Sequence, residues 1–212
     1  ALRQPPRVPV TGPRLGGSIA LKGGRIDDLT MLDYKATIDE GSPAVTLFSP
    51  QGAPQPYFGQ FGWVPIGELK VPDSDTVWQA DPPSVQPARP LTLSWDNGQG
   101  VRFIQVVEID DNFMMTVTQR VENNSTQAIS TPPYGRIART HTPNTLGFYI
   151  LHEGPLAVFN ETLKEVDYDD LQEGPADATK STGGWIGITD KYWLAALIPD
   201  QKQPYTGTFR YS

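Results

Sequence analysis

Apolar residues in this chain recur at a spacing of two, in segments too short for independent helices, and the segments are punctuated by Gly, Pro, Asn and Asp. The longest uninterrupted apolar run is Tyr192 to Ile198, inside GGWIGITDKYWLAALIPDQ (Gly183 to Gln201). Tyr192, Leu194, Ala196 and Ile198 point one way and Trp193, Ala195 and Leu197 the other, so both faces are apolar. That pattern predicts a strand covered on both sides. With the polar break Asp190-Lys191 before it, the stretch reads as a tight hairpin at the centre of an all-β domain.

The rest of the chain follows suit. GSIALKGGRIDDL predicts a hairpin of Ser18 to Leu21 and Arg25 to Met31 around Lys22-Gly23-Gly24. Strands are predicted at Val45 to Phe48 and Tyr57 to Trp63. Between Pro72 and Pro90, Pro82, Pro83 and Pro87 leave room for one strand, Thr76 to Gln79, in an irregular excursion. Leu91 to Trp95, Val101 to Ile109 and Phe113 to Glu122, joined by turns at Asp96-Asn97-Gly98 and Asp110-Asp111-Asn112, form an antiparallel meander. Shorter strands are expected at Tyr134 to Thr140, Phe148 to Leu151, Leu156 to Phe159, Thr162 to Val166 and Tyr205 to Tyr211. Tyr168 to Leu171 suits a single helical turn, and Gln172 to Thr182 reads as a polar loop. Some fourteen short strands with no convincing helix predict stacked antiparallel sheets, a large sandwich. No fixed-period repeat suggests a propeller.

Composition narrows the picture. Twenty glycines and twenty-one prolines in 212 residues exceed the usual ~12% and suit many turns. A net charge of −7 disfavours nucleic acid and anionic membrane surfaces as partners. With no Cys there is neither disulfide nor thiolate chemistry. No run approaches the ~18 to 20 apolar residues of a membrane span, and Ala1 to Pro13 lacks the apolar core of a signal peptide. Pro5, Pro6, Pro9 and Pro13 among Arg3, Arg7 and Arg14 make residues 1–14 an extended linker, with the folded domain over 15–212.

Chemistry is sparse. There is no phosphate loop, dinucleotide fingerprint or nucleophile elbow. His141 and His152 have no metal-ligand spacing. His152-Glu153 is the one acid/base pair to weigh against sugar epimerases and mutarotases, but neighbours on a strand face opposite ways. The carboxylates Asp27-Asp28, Asp73 with Asp75, Asp110-Asp111 and Asp167 with Asp169-Asp170 do not follow a calcium-loop spacing and read as turn and edge residues. Trp63, Trp78, Trp95, Trp185 and Trp193 are expected mainly in the core. Asn123-Asn124-Ser125 and Asn160-Glu161-Thr162 are short acceptor patterns for glycosylation. The reading therefore assigns no catalytic, cofactor or metal residue, and leaves the binding surface open.

Seven stretches taken together resemble one family. GSIALKGGRIDDL, YFGQFGWV, VPDSDTVW, LTLSWDNGQG, LHEGPLAVF, LKEVDYDDL and the hairpin from Gly183, in that order, are similar to the large periplasmic domain of YidC membrane-protein insertases of the YidC/Oxa/Alb family, in its alphaproteobacterial form. The resemblance implies a β-supersandwich, the fold shared with galactose mutarotases. It implies a periplasmic domain between the first and second transmembrane helices of a multi-pass inner-membrane protein, and a domain that continues past Ser212. It further implies a cofactor-free chaperone that inserts and folds inner-membrane proteins alone or with the Sec translocon, this domain acting as scaffold or docking surface for translocon or nascent chain. The alternative is a carbohydrate-binding or mutarotase-like sandwich.

Overall fold

The computed structural model describes residues 6–143, 145, 151–174 and 176–211. They form two compact units, residues 1–140 and 141–212. The first unit holds β1 (Arg7–Thr11), β2 (Leu15–Ala20), β3 (Arg25–Lys35), β4 (Ala44–Phe48), β5 (Tyr57–Trp63), β6 (Gln79–Asp81), β7 (Leu91–Asp96), β8 (Val101–Ile109), β9 (Met115–Asn123) and β10 (Pro133–Arg139). One sheet runs β1-β2-β3-β5-β10 with β4 also on β3; the other is the meander β6-β7-β8-β9, and every pairing is antiparallel.

β8 supplies much of the core. It is paired along both edges, and Val101, Phe103, Ile104, Gln105 and Val107 are all at or below 3% exposure. Phe103 packs edge-on against Trp63, ring centres 5.0 Å apart, and Trp63 lies 6.3 Å from Trp78. Both indoles are buried, so the expectation of core tryptophans holds there, while Trp95 is half-buried with the Lys70 ammonium 5.6 Å from its ring centre. In β9, alternation sends Met115, Val117 and Val121 inward and Thr116, Thr118 and Arg120 to solvent. Gln119, on the inward side, donates to the Gly62 carbonyl at 2.7 Å.

The second unit holds β11 (Gly154–Phe159), β12 (Thr162–Glu165), α1 (Tyr168–Glu173), β13 (Asp177–Thr182), β14 (Trp185–Asp190), β15 (Trp193–Leu197) and β16 (Pro204–Phe209). A four-stranded sheet runs β12-β11-β14-β15, and β13 pairs with β16 alone. Asn160 and Glu161, both at positive φ (48° and 66°), make the two-residue turn of the β11–β12 hairpin. Gly184, at φ 82°, opens β14 where any Cβ would lie 1.9 Å from the Val158 carbonyl oxygen. Ala157, Phe159 and Phe209 form the buried cluster, flanked by Val166, Leu171, Ile186 and Tyr205.

Four expectations change. Residues 7–11 are not a linker: Val8 and Val10 are buried in β1, and Pro9 is tolerated because β1 is an edge strand. The loop expected over 172–182 contains β13, whose polar DATKST sequence hides its pairing with β16. The strand expected at Thr76 to Gln79 is shifted to β6. The predicted hairpin of β14 and β15 is present, but among the described residues β15 is the last strand of its sheet, with Tyr192, Leu194 and Ile198 exposed. The strand expected at Phe148 to Leu151 falls outside the described residues apart from Leu151.

Candidate functional site

The densest polar constellation lies across the sheet of β1, β2, β3, β5 and β10. Register aligns Arg7 with Ala20, Ala20 with Arg25, Arg25 with Gln60 and Gln60 with Arg136, so one cross-strand row carries three arginines and a glutamine on one face. A bulge between Ser18 and Ile19 inserts an extra residue in β3 opposite β2. Gly17, at φ 140°, permits the close approach there; a Cβ would meet the Asp28 carbonyl oxygen at 2.0 Å.

Asp27, 2% exposed, accepts a hydrogen bond from the Arg7 Nη2 and lies 4.0 Å from the Arg25 Nε. Arg7 also donates from Nε to the Ser18 hydroxyl at 2.7 Å, and that hydroxyl donates to Asp28 at 2.5 Å. Gln60, 4% exposed, donates to the Gly23 carbonyl at 2.9 Å and accepts from Arg136 Nε and Nη2 at 3.1 and 2.5 Å. The Arg25 and Arg136 guanidinium carbons stand 5.6 and 5.7 Å from the Phe58 ring centre.

This arrangement ties together strands far apart in sequence. Its guanidinium, amide, carboxylate and hydroxyl groups are spent on one another, the Ser18 hydroxyl being held between Arg7 and Asp28, so the arrangement locks the strands in register. It also corrects the reading of Asp27 as a solvated turn carboxylate. The one signal in the sequence is Arg25-Ile26-Asp27, which sets opposite charges on one strand face; Arg7, Gln60 and Arg136 become visible only with the register.

The other candidates occupy separate places. His152 and Glu153 precede β11, so strand alternation does not govern them; both are half-buried. The His152 Nε2 is 3.0 Å from the Pro155 carbonyl oxygen and Nδ1 is 3.9 Å from the Asp167 carboxylate, which ties the imidazole to its own backbone instead of presenting it to a ligand. His141 follows β10 in sequence and is half-buried. Among the described residues, no three His, Asp or Glu side chains converge as a metal site.

Two of the four carboxylate clusters act in turns. Asp73 accepts from the Thr76 hydroxyl and from the backbone N–H groups of Asp75 and Thr76, at 2.9 to 3.0 Å, and these bonds, that of Thr76 first, hold its carboxyl below its ordinary pKa. Asp110 likewise accepts from the N–H groups of Asn112 and Met114. The acceptor asparagines are engaged as well: Asn123 accepts from the Ser125 hydroxyl at 2.6 Å, and the Asn160 amide donates to the Lys180 carbonyl at 2.9 Å. A shallow recess of ≈ 570 Å³ in the second unit is lined by Lys164, Val166, Asp170, Leu171, Asp177 and Ala178. Lys164 and Asp177 pair across it at 2.5 Å.

Comparison with known proteins supplies what the geometry does not. The sequence model of the family described as YidC periplasmic domain matches residues 7–212. The proteins named Membrane protein insertase YidC from Methylorubrum extorquens (strain PA1) and Methylobacterium radiotolerans are 45% and 46% identical over 219 residues, covering 99% of this chain and 36% of each relative. The protein of the same name from Rickettsia bellii is 40% identical over 99% of this chain and 38% of its own length. The chain thus spans little more than a third of the length of these relatives.

Proposed function

Because the chain belongs to the YidC periplasmic-domain family, we propose that it is the extracytoplasmic arm of an inner-membrane protein insertase and that its role is to bind, not to catalyse. The observation that carries this reading is the continuous match over residues 7–212, at 45 to 46% identity to relatives named insertases. The residues are compatible with it. The buried polar network holds strands in register, His152 is tied to its own backbone, and Asp73 and Asp110 accept bonds within turns.

The domain serves as a scaffold or docking surface, outside the membrane, for Sec translocon components or for nascent membrane proteins handled by the rest of the polypeptide. No helix of the described residues is long and apolar enough to cross a membrane, so the spans of such an insertase lie in other parts of the protein. The work at the bilayer belongs to those spans.

The test is complementation of an insertase-depleted strain by the full-length gene and by the same gene lacking residues 15–212. The full-length product restores growth and co-purifies with the translocon. The shortened product, at equal membrane level, loses co-purification. Undiminished co-purification of the shortened product would refute a docking role.

A further inference from the structure

The chain has no cysteine and three methionines, Met31, Met114 and Met115, so three thioethers are its only sulfur groups. The fold treats them differently. Met31 lies in β3, opposite Leu15 and Val45, and is 6% exposed. Met115 opens β9 on its inward side, paired with Ile109, and is half-buried. Met114, one residue earlier, is 52% exposed.

Exposure at Met114 is built into the turn between β8 and β9. The Met114 N–H donates to the Asp110 carboxylate at 3.0 Å, and the Met114 carbonyl accepts from the Asp110 N–H at 3.1 Å, so both backbone groups are held. Phe113 takes the packed position beside it, its ring centre 5.8 Å from that of Tyr34 and 4.5 Å from the Arg14 guanidinium carbon. The Met114 thioether is left to solvent. An oxygen added to Met31 or Met115 would enter a packed sheet face, whereas on Met114 it meets water.

We propose that Met114 is a reversible oxidation site, converted by hydrogen peroxide to methionine sulfoxide while Met31 and Met115 stay reduced, and that the folded domain carries the change intact. The sulfur lone pair attacks one peroxide oxygen, and the S–O bond forms as the O–O bond breaks. The departing hydroxide takes the proton of the transferred oxygen and leaves as water, so sulfur loses two electrons and peroxide gains them. The periplasmic location of the family sets this thioether in the compartment that external peroxide enters first. With no thiol in residues 1–212 to compete, the most accessible thioether reacts first. The proposal goes beyond the docking reading above and does not depend on it.

The test is a hydrogen peroxide time course on the full-length protein, folded and denatured, read by tandem mass spectrometry with fragments that separate Met114 from Met115. In the denatured sample the three methionines oxidise at similar rates. In the folded sample Met114 is expected to oxidise on the order of 10-fold faster than Met31 and Met115. If Met31 or Met115 keeps pace with Met114 in the folded protein, or if folding protects Met114 as well, the proposal is overturned. The near-ultraviolet circular dichroism is expected to survive conversion of Met114, and its collapse would contradict a change carried by the folded domain. Methionine sulfoxide reductases for the two sulfoxide epimers should then return Met114 to the thioether in the folded protein. A sulfoxide that they cannot remove until the protein is unfolded would refute reversibility.

Discussion

β8 and β15 both carry apolar residues on either face, with Arg102 and Glu108 the charged exceptions in β8, yet they end in different surroundings. β8 lies between β7 and β9, and its Phe103 is fully buried. Among the described residues β15 pairs with β14, and of its side chains Ala195 is the buried one. The difference shows that a local apolar pattern states what a strand requires, while long-range pairing decides whether the requirement is met. For β8 the meander supplies both neighbours within a few residues of sequence, through turns at Asn97-Gly98 and Asp110. For β15 the hairpin supplies the one neighbour found among the described residues.

Substitutions sharpen this contrast. The largest effect is expected at β8, where Phe103→Ala removes a ring packed against Trp63 and Trp95 and should cost about 3–5 kcal/mol in denaturant unfolding of the first unit. Asp27→Ala comes next. It leaves the Arg7 and Arg25 charges facing a site without its carboxylate, and should cost about 3 kcal/mol. A loss below about 1 kcal/mol would show that water solvates that cluster.

Asp73→Ala should cost about 0.5–1 kcal/mol, toward the lower end because the carboxylate is exposed and screened. Its lowered pKa fixes the sign of the pH dependence. The contribution is present above the ordinary carboxylate range and is lost as pH falls through the folded value, so the variant and the parent converge in acid. The smallest effect is expected at β15: in residues 1–212 alone, Leu194→Asn should change stability by less than about 0.5 kcal/mol.

Much of the architecture is legible in the sequence because strand alternation and turn chemistry are local. Tyr57–Trp63 and Val101–Ile109 match their predicted bounds, and the Asp190-Lys191 break does lead into a hairpin. What is missed depends on distant partners. β13 has one buried side chain, Ser181, and is a strand only by its pairing with β16 some twenty residues on. β1 looks like a linker until Val8 and Val10 are seen facing Ile19 and Gly17 of β2. The Arg7, Asp27, Gln60 and Arg136 network spans more than a hundred residues of sequence, and no spacing rule could have assembled it. The family resemblance, by contrast, is readable in ordered stretches of sequence and is the same family that the comparisons find.

The central claim, an external arm of a membrane insertase, is tested most directly by protease accessibility of the full-length protein in its own membrane. The segment between β3 and β4, residues 36–43, contains fully exposed Ile38 and is a suitable cleavage point. Protease added to intact spheroplasts should cut there and release β-rich fragments of this domain while the cytoplasmic side stays untouched. Protection in spheroplasts, with cleavage only after the membrane is broken, would place the domain on the wrong side and contradict the account.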